Sequence, residues 1–334
     1  MKKNPIFIPF GRFTKIGGPG TFMRNFKVFL DNKSFSYLDT PEKAKVIFFP
    51  VKYDLAVLKS IKRNKGKVIQ RLDGIYYPAK HQEQYLDLNK AIKDIYLNYA
   101  DFVIFQSHYS KKQCFTMFGK LKPEQYKVIV NGVDQRIFYP SAAKGNLMGP
   151  WRLITTGNFR NLDMLEPVVK ALDQLQEKMK LKFILTVIGP VRNEALNRLL
   201  LRPYIYHIST ASLSQIAERL RESHLFLYSH LNPPCPNSVL EAIASGLPVV
   251  GFNSGAMKEL LFFAEDLLAD VSPDLFQRYE SFDHQKLLAK IILALNNYQK
   301  YREIALAHSH LYFFELCGKK YLKVFERFLN NKRR

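Results

Sequence analysis

Short apolar runs alternate along this chain with segments whose apolar residues recur at helical spacing. The runs are 6–10, 45–50, 67–72, 102–107, 127–132, 152–157, 183–189, 204–208, 225–229 and 248–252. None of them alternates apolar with polar positions, which is typical of parallel strands that helices cover on both faces. Between them, 212–223 places Leu213, Ile216, Ala217 and Leu220 on one stripe, as in an amphipathic helix. The alternation predicts an α/β fold with doubly wound parallel sheets.

The pattern breaks once, at YPSAAKGNLMGPW (139–151), which is rich in Pro, Gly, Ala and Ser. Because strand–helix alternation restarts directly afterwards, we expect a linker at 141–150. It would join a Rossmann-like domain at 1–140 to a second one at 151–311. A length of 334 residues suits two such domains. The stretch from about 283 to 330 reads as helical throughout.

Composition narrows the class of protein. The chain is 47% apolar and 24% charged, as globular proteins are. No apolar run reaches the roughly 18 residues needed to cross a bilayer, and the start has no h-region or cleavage site. Three distant cysteines without a CxxC indicate thiols in a reducing cytoplasm. The sequence has neither HExxH nor DxD, so we expect no metal site.

The net charge of +21 is concentrated in the first part of the chain. Residues 1–140 hold 25 Lys and Arg against 11 Asp and Glu, a balance of +14. A basic half attracts the phosphates of a nucleotide, of nucleic acid or of anionic lipid. A solvated, lysine-rich surface would explain the same charge, and both interpretations stay open at this point. Nucleic acid is disfavoured, because the basic residues do not interleave with aromatic ones in a known module.

A glycine-rich turn follows the first predicted strand. Gly17, Gly18 and Gly20 stand where that strand gives way to a helix, so backbone amides could approach a ligand there. The motif is not GxGxxG, and no acidic residue follows about twenty positions later. A tight turn is an equally good interpretation.

Two further turns follow predicted strands. Asn131-Gly132 closes a strand, and Asp134 could order that turn through its side chain. In TTGNFRN (155–161), Gly157 lets the chain turn and Arg160 follows at the carboxyl edge of a strand. Ligands of open α/β sheets bind at that edge, and a guanidinium suits a diphosphate. An ordinary surface arginine is the alternative.

The most unusual stretch is NPPCPNSVLEAIASGLPVVG, residues 232–251. Ser238 and Glu241 have capping-box spacing, and Gly246 is placed to end the helix. The prolines at 233, 234 and 236 stiffen the approach, while Cys235, Asn237, Ser238 and Val239 keep their N–H groups. Such a loop at a helix N-terminus can receive an anion, and Glu241 one turn later could hold a ribose diol.

The segments GGPGTF, ADFVIFQS, VIVNGVDQRIFYP, TGNFR, PNSVLEAIASGLPVVG and GAMKEL, in this order, resemble those of family 4 of the retaining glycosyltransferases, group 1 glycosyltransferases with the GT-B fold. The resemblance extends from about residue 5 to residue 330. It implies two Rossmann-like domains facing each other across a cleft. A nucleotide-sugar donor would bind mainly to the C-terminal one and an acceptor to the N-terminal one. A final helix, about 312–334, would cross back to the N-terminal domain.

The resemblance also implies roles for single residues. Glu241 would hold the donor ribose, and the N-terminus of its helix, at Asn237, Ser238 and Val239, would face the sugar and the diphosphate. Arg160 would neutralise the diphosphate leaving group. Gly18 and Gly20 would let the N-terminal loop close over the diphosphate. Glu259, in GAMKEL, lies near a later glutamate position of the family, where a structural role is as good an interpretation.

The chain departs from the family pattern at three places. Pro233 stands eight positions before Glu241, where the family has its first glutamate. No lysine follows Arg160 within 161–165. The family's N-terminal histidine has no match, and RLDG (71–74) occupies about that place, which makes Arg71 and Asp73 candidates.

These observations predict a metal-independent, retaining glycosyltransferase of the hexosyltransferase type, with Arg160 and Asp73 as catalytic candidates and no cofactor. Its acceptor hydroxyl would belong to a cell-envelope glycan or lipid-linked saccharide. We expect it in the cytoplasm, in peripheral contact with an anionic inner membrane face. A nucleotide-sugar epimerase of the same architecture and a catalytically silent, donor-binding transferase subunit are the alternatives.

Overall fold

The structure is a computed structural model that describes residues 4–13, 17–141, 149–179, 181–272, 276, 278 and 282–330. The chain forms two compact units. Unit 1 comprises Met1–Gly132 and Phe313–Arg334, and unit 2 comprises Val133–Tyr312. Most of the expected linker, 142–148, lies outside the described residues. Within the described ranges, no helix is long and apolar enough to cross a bilayer.

Unit 1 contains a five-stranded parallel sheet whose spatial order is the chain order. Its strands are β1 (Ile6–Phe7), β2 (Val46–Pro50), β3 (Lys67–Leu72), β4 (Phe102–Phe105) and β5 (Tyr126–Val128). The three central strands are buried at nearly every position, as their unbroken apolar sequences predict.

Helices cover both faces of this sheet. They are α1 (Gly18–Asn32), α2 (Leu55–Arg63), α3 (Pro78–His81), α4 (Tyr85–Asp94), α5 (His108–Phe118) and the C-terminal α13 (Phe314–Leu329). α1 and α13 bury their aromatic residues on one face. α2, α4 and α5 pack on the other.

The C-terminal helix fits closely against α1. A Cβ atom added at Gly318 would lie 2.6 Å from the ring of Phe29. Tyr321 and Phe325 place their ring centroids 5.2 and 5.8 Å from that of Phe26. Several aromatic rings of unit 1 pack against rings of α13, so this helix belongs to the core of unit 1. The sequence analysis predicted such a return of the C-terminal helix to the N-terminal domain.

Unit 2 contains a six-stranded parallel sheet with the spatial order β11-β10-β9-β6-β7-β8. The strands are β6 (Trp151–Thr156), β7 (Phe183–Ile188), β8 (Ile205–Ile208), β9 (Leu225–Tyr228), β10 (Val249–Phe252) and β11 (Leu268–Ala269). From β6 the chain builds outwards to β8, then returns to place β9 on the other side of β6. The direction of winding therefore reverses between β6 and β9.

The helices of unit 2 are α6 (Glu166–Met179), α7 (Glu194–Leu199), α8 (Leu213–Glu222), α9 (Asn237–Ala244), α10 (Met257–Leu260), α11 (His284–Asn296) and α12 (Tyr298–His308). Each of the ten predicted apolar runs overlaps a strand, and the α/β prediction with two parallel sheets is confirmed. The sequence pattern predicted that both sheets reverse their direction of winding. The described strands of unit 1 instead follow one another in chain order without a reversal.

Candidate functional site

Two loops of unit 2 leave neighbouring strands at the same edge of the sheet. Residues 157–160 follow β6, and residues 229–236 follow β9. Since β6 and β9 pair in parallel, both loops lie at the carboxyl edge. The reversal of winding falls between these two strands, and open α/β sheets bind ligands at that position.

The two loops touch each other through a histidine. A Cβ atom at Gly157 would lie 2.9 Å from Cε1 of His230, so only glycine leaves room for this ring. The His230 ring centroid lies 4.6 Å from that of Tyr228 and 6.0 Å from that of Phe159. Sequence reasoning missed His230, although its place directly after the 225–229 run was a usable signal.

Arg160 is exposed at this edge. Its backbone N–H donates to Sδ of Met164 at 3.3 Å, which turns the chain towards α6. Among the described residues no carboxylate forms an ion pair with its guanidinium. The side chain is therefore available to an anion.

The proline loop is fixed by the turn that follows β10. Asn232 has φ +47°, in the left-handed region. Its N–H donates to Oγ of Ser254 at 2.9 Å, and the N–H of Ala256 donates to the Pro233 carbonyl at 2.8 Å. Pro233 itself is buried. The loop thus approaches α9 along one defined path.

Helix α9 begins two residues earlier than a capping box at Ser238 would require. Pro236 is its N-cap, and no side chain of the described residues caps it. Ser238 and Glu241 are the second and fifth helical residues, so the expected capping box is wrong. Its first intrahelical hydrogen bond runs from the N–H of Leu240 to the carbonyl of Pro236, at 3.2 Å. The N–H of Leu240 is thus the first to find an acceptor within the helix, and N–H groups at a helix N-terminus are suited to an anion.

The end of α9 agrees with the sequence analysis. Gly246 follows the helix with φ +73°, as predicted. Ser238 and Glu241 are three residues apart, which places them on one side of the helix and separates them by about 4.5 Å along its axis. Glu241 is half-buried. Glu259, on α10, is also half-buried.

We expect Gly255→Ala to disturb the proline loop. Gly255 has φ +62°, and an added Cβ atom would lie 2.4 Å from the Pro233 carbonyl oxygen. Strain of this kind costs about 1–3 kcal/mol and would displace the start of α9. The dissociation constant of a nucleotide donor, measured by calorimetry, should rise about 10-fold. Gly149→Ala is the control, because nothing lies within 4 Å of its Cβ position. Equal donor affinity in both variants would refute the role of this turn.

In unit 1 a buried arginine lies in the carboxyl half of β3. Arg71 is fully buried and forms an ion pair with Asp73. Its Nη2 donates to Oδ1 of Asn131 at 2.6 Å, its Nε donates to the Tyr321 hydroxyl at 3.0 Å, and its guanidinium lies 3.7 Å from the centre of the Phe22 ring. Arg71 is therefore enclosed by protein, and the side chain of Asp73 is 7% exposed.

The glycine-rich segment lies beside Asp73. Gly17 has φ +147° and caps α1, so Gly18 and Gly20 are helical residues, and 14–16 lie outside the described ranges. The Cβ position of the exposed Gly18 lies 3.9 Å from Oδ2 of Asp73. Gly20 is buried in the first turn. Of the two glycines named as donor-binding candidates, Gly18 is the one at the surface.

The turn after Asn131 has the structural role expected of it. The N–H of Arg136 donates to Oδ1 of Asp134 at 3.0 Å. Hydrogen bonds from Arg136 hold the pKa of the Asp134 carboxyl below its usual value. The side chain of Asp134 therefore orders the chain as it enters unit 2.

The candidates thus form two groups. In unit 2, Arg160 and the segment from Asn237 to Glu241 lie at one sheet edge. In unit 1, Gly18 lies beside Asp73. Within the described ranges, no three His, Cys, Asp or Glu side chains cluster as a metal site would need.

Residues 150–278 match the family model described as glycosyl transferases group 1. No curated protein sequence matches the chain. Among solved structures, sucrose-phosphate synthase from Thermosynechococcus elongatus superposes with a TM-score of 0.64 at 15% identity, over 93% of this chain and 78% of that one. WaaG, described as a glycosyltransferase involved in lipopolysaccharide biosynthesis, gives 0.62 at 14% identity, over 93% and 97%.

A third solved structure is the pneumococcal O-GlcNAc transferase GtfA in complex with UDP and GlcNAc. It gives a TM-score of 0.63 at 16% identity, over 95% of this chain but only 62% of that one. Sequence identities this low show a shared fold alone. The residues that match the family model, 150–278, include Arg160 and α9. By that match, residues 150–278 are similar to the group 1 glycosyltransferases, and the two parallel α/β units agree with the GT-B fold expected from the sequence.

Proposed function

We propose that the chain is a metal-independent, retaining hexosyltransferase that moves a sugar from a nucleoside diphosphate to an acceptor hydroxyl. The observation that carries this proposal is the edge of unit 2 where the winding reverses. It presents an available guanidinium, Arg160, and an uncapped helix start at the carboxyl ends of adjacent strands. That combination suits a diphosphate.

The roles follow from the charge that develops during transfer. As the bond from the sugar to the diphosphate breaks, negative charge grows on the departing oxygen. Arg160 and the first amides of α9 stabilise that charge, which lowers the barrier. Glu241, about 4.5 Å further along the helix axis from Ser238, accepts hydrogen bonds from the ribose diol.

In unit 1 we assign Asp73 to the acceptor. An ionised carboxylate accepts hydrogen bonds only, so it can hold a sugar hydroxyl in one orientation. Its ion pair with Arg71 keeps it in place beside the start of α1.

A transfer assay tests the proposal. Incubation with nucleoside-diphosphate hexoses and an acceptor should give a product whose anomeric configuration, read by NMR, equals that of the donor. A chelator should leave the rate unchanged. A nucleoside diphosphate at 100 times its dissociation constant should stabilise the protein by about 2.7 kcal/mol, raising Tm, whereas an oligonucleotide should not. An inverted product, or a rate that chelation abolishes and a divalent cation restores, would contradict it.

A catalytically silent, donor-binding subunit is the second candidate. Pro233 favours it, since this residue stands where the family has a carboxylate and is buried against Gly255. The same assay separates the candidates. A silent subunit binds the diphosphate without product, and an epimerase converts the donor with no acceptor present.

We further propose that the acceptor is an envelope glycan or lipid-linked saccharide at an anionic membrane face of the cytoplasm. The balance of +14 over residues 1–140 supports this. Leu86 on α4 and Leu97, in the helical turn Ile95–Tyr99 that follows α4, are 62% and 51% exposed, and Lys90 and Lys93 between them are exposed too. Leucines flanked by lysines suit an anionic bilayer surface.

Flotation with liposomes tests the membrane proposal. Binding to vesicles with anionic lipid should exceed binding to neutral ones at low salt and fall as salt rises. Exchanging Leu86 and Leu97 for serine should weaken it about 10-fold. Leu201→Ser, at an 81% exposed position of unit 2, is the control. Equal flotation with both lipid compositions would refute the proposal.

A further inference from the structure

The ion pair between Arg71 and Asp73 is held by a chain of buried polar groups. Nδ2 of Asn131 donates to Oε1 of Gln106 at 2.8 Å, and Oδ1 of Asn131 accepts from Nη2 of Arg71. Tyr321, 250 residues later in the chain, accepts from Nε. Gln106, Asn131 and Arg71 are all buried. This series of hydrogen-bonded side chains therefore links the ends of three strands to α13.

The geometry of a guanidinium makes this arrangement directional. Its atoms lie in one plane, and its N–H groups leave at fixed angles. Hydrogen bonds at Nε and Nη2, with the Phe22 ring 3.7 Å from Cζ on one face, fix both the plane and its rotation. Nη1, the atom paired with Asp73, then has one position.

We infer that Tyr321 is a positioning residue for Asp73 and acts through Arg71. The inference rests on the proposed acceptor role of Asp73. Without the Tyr321 hydroxyl, Nε has no acceptor at that position, and Arg71 can rotate about the remaining hydrogen bond to Asn131. The Asp73 carboxylate then moves with the Arg71 guanidinium. As a result, the acceptor hydroxyl loses its alignment with the sugar.

Tyr321→Phe removes one hydroxyl and keeps the ring that packs on α1. We expect kcat to fall about 10-fold, with KM for the donor unchanged within a factor of two, because the donor residues lie in unit 2. Tyr96→Phe is the matched control. It also removes a buried tyrosine hydroxyl of unit 1, one that donates to the Gly119 carbonyl at 2.7 Å, outside this chain of groups. We expect kcat of this variant to equal that of the wild type.

A double-mutant cycle with Asp73→Asn separates the possible outcomes. If Tyr321 acts through Asp73, Tyr321→Phe has no further effect on kcat once Asp73 is asparagine. A full, independent 10-fold loss in that background would overturn the inference, as would equal losses in Tyr321→Phe and Tyr96→Phe. Wild-type activity of Asp73→Asn would refute the role of Asp73 itself and the inference with it. Transfer by Arg160 and α9 would then stand unaffected.

Discussion

Replacing Arg160 with alanine is expected to lower kcat by about 10²–10³-fold. In the proposed mechanism the guanidinium is an available cation at the edge where β6 and β9 end, and the diphosphate gains charge as the sugar leaves. A single donor aimed at such charge is worth about that factor when it is removed from an oxyanion hole. KM for the donor should change less than kcat, because the charge is larger in the transition state than in the bound donor. Steady-state kinetics with a purified acceptor measures both constants.

Two further variants sharpen this prediction. Arg160→Lys keeps the charge but loses the paired N–H groups, so kcat should lie between that of the wild type and that of the alanine variant. Arg219→Ala removes an exposed arginine of α8 that forms a surface ion pair with Glu222, and it should have no effect. A normal kcat in Arg160→Ala would remove the residue from the mechanism.

Arg71→Met is expected to destabilise unit 1 by about 3–5 kcal/mol. The change leaves the Asp73 carboxylate without its ion-pair partner and Asn131 without the donor to its Oδ1, and removing one member of a buried pair carries a cost of this size. Hydrogen exchange measures the effect locally, since amides of β3, β4 and β5 should lose protection while those of the unit 2 sheet keep theirs. This local measurement is preferable to one melting curve for a protein of two units.

The charge explanation has its own test. In the double variant Arg71→Met with Asp73→Asn no charge is left uncompensated, so much of the lost protection should return. Arg63→Met, in the exposed last turn of α2, should leave exchange unchanged. If the double variant exchanges as fast as Arg71→Met alone, lost packing against Phe22 accounts for the destabilisation.

The strands were predictable because their signal is local. A buried parallel strand is apolar along its whole length, and each of the predicted apolar runs overlaps a strand. β11 was missed because its two residues, Leu268 and Ala269, are too few to make a pattern. The order of strands in space was not predictable, since short apolar runs carry no information about their neighbours. Unit 1 in chain order and unit 2 with its reversal have similar sequence patterns.

The candidate site divides in the same way. Arg160 and the start of α9 follow strands directly, so chain order alone places them at a carboxyl edge. The capping box at Ser238 was a local signal that tertiary structure overrides, because Pro236 and the turn at Gly255 fix where α9 begins. Arg71 could be named as a candidate, but its burial could not be foreseen. Its partners Asn131 and Tyr321 are 60 and 250 residues away.

The place of α13 in unit 1 has a consequence for biosynthesis. On the ribosome, residues up to Gly132 emerge first, yet the aromatic face of α1 stays uncovered until the whole of unit 2 has been translated. The nascent chain must therefore carry an exposed phenylalanine surface for many seconds, which makes it a substrate for chaperones. A fragment that ends before Phe313 should aggregate, and supplying α13 as a separate peptide should rescue its solubility.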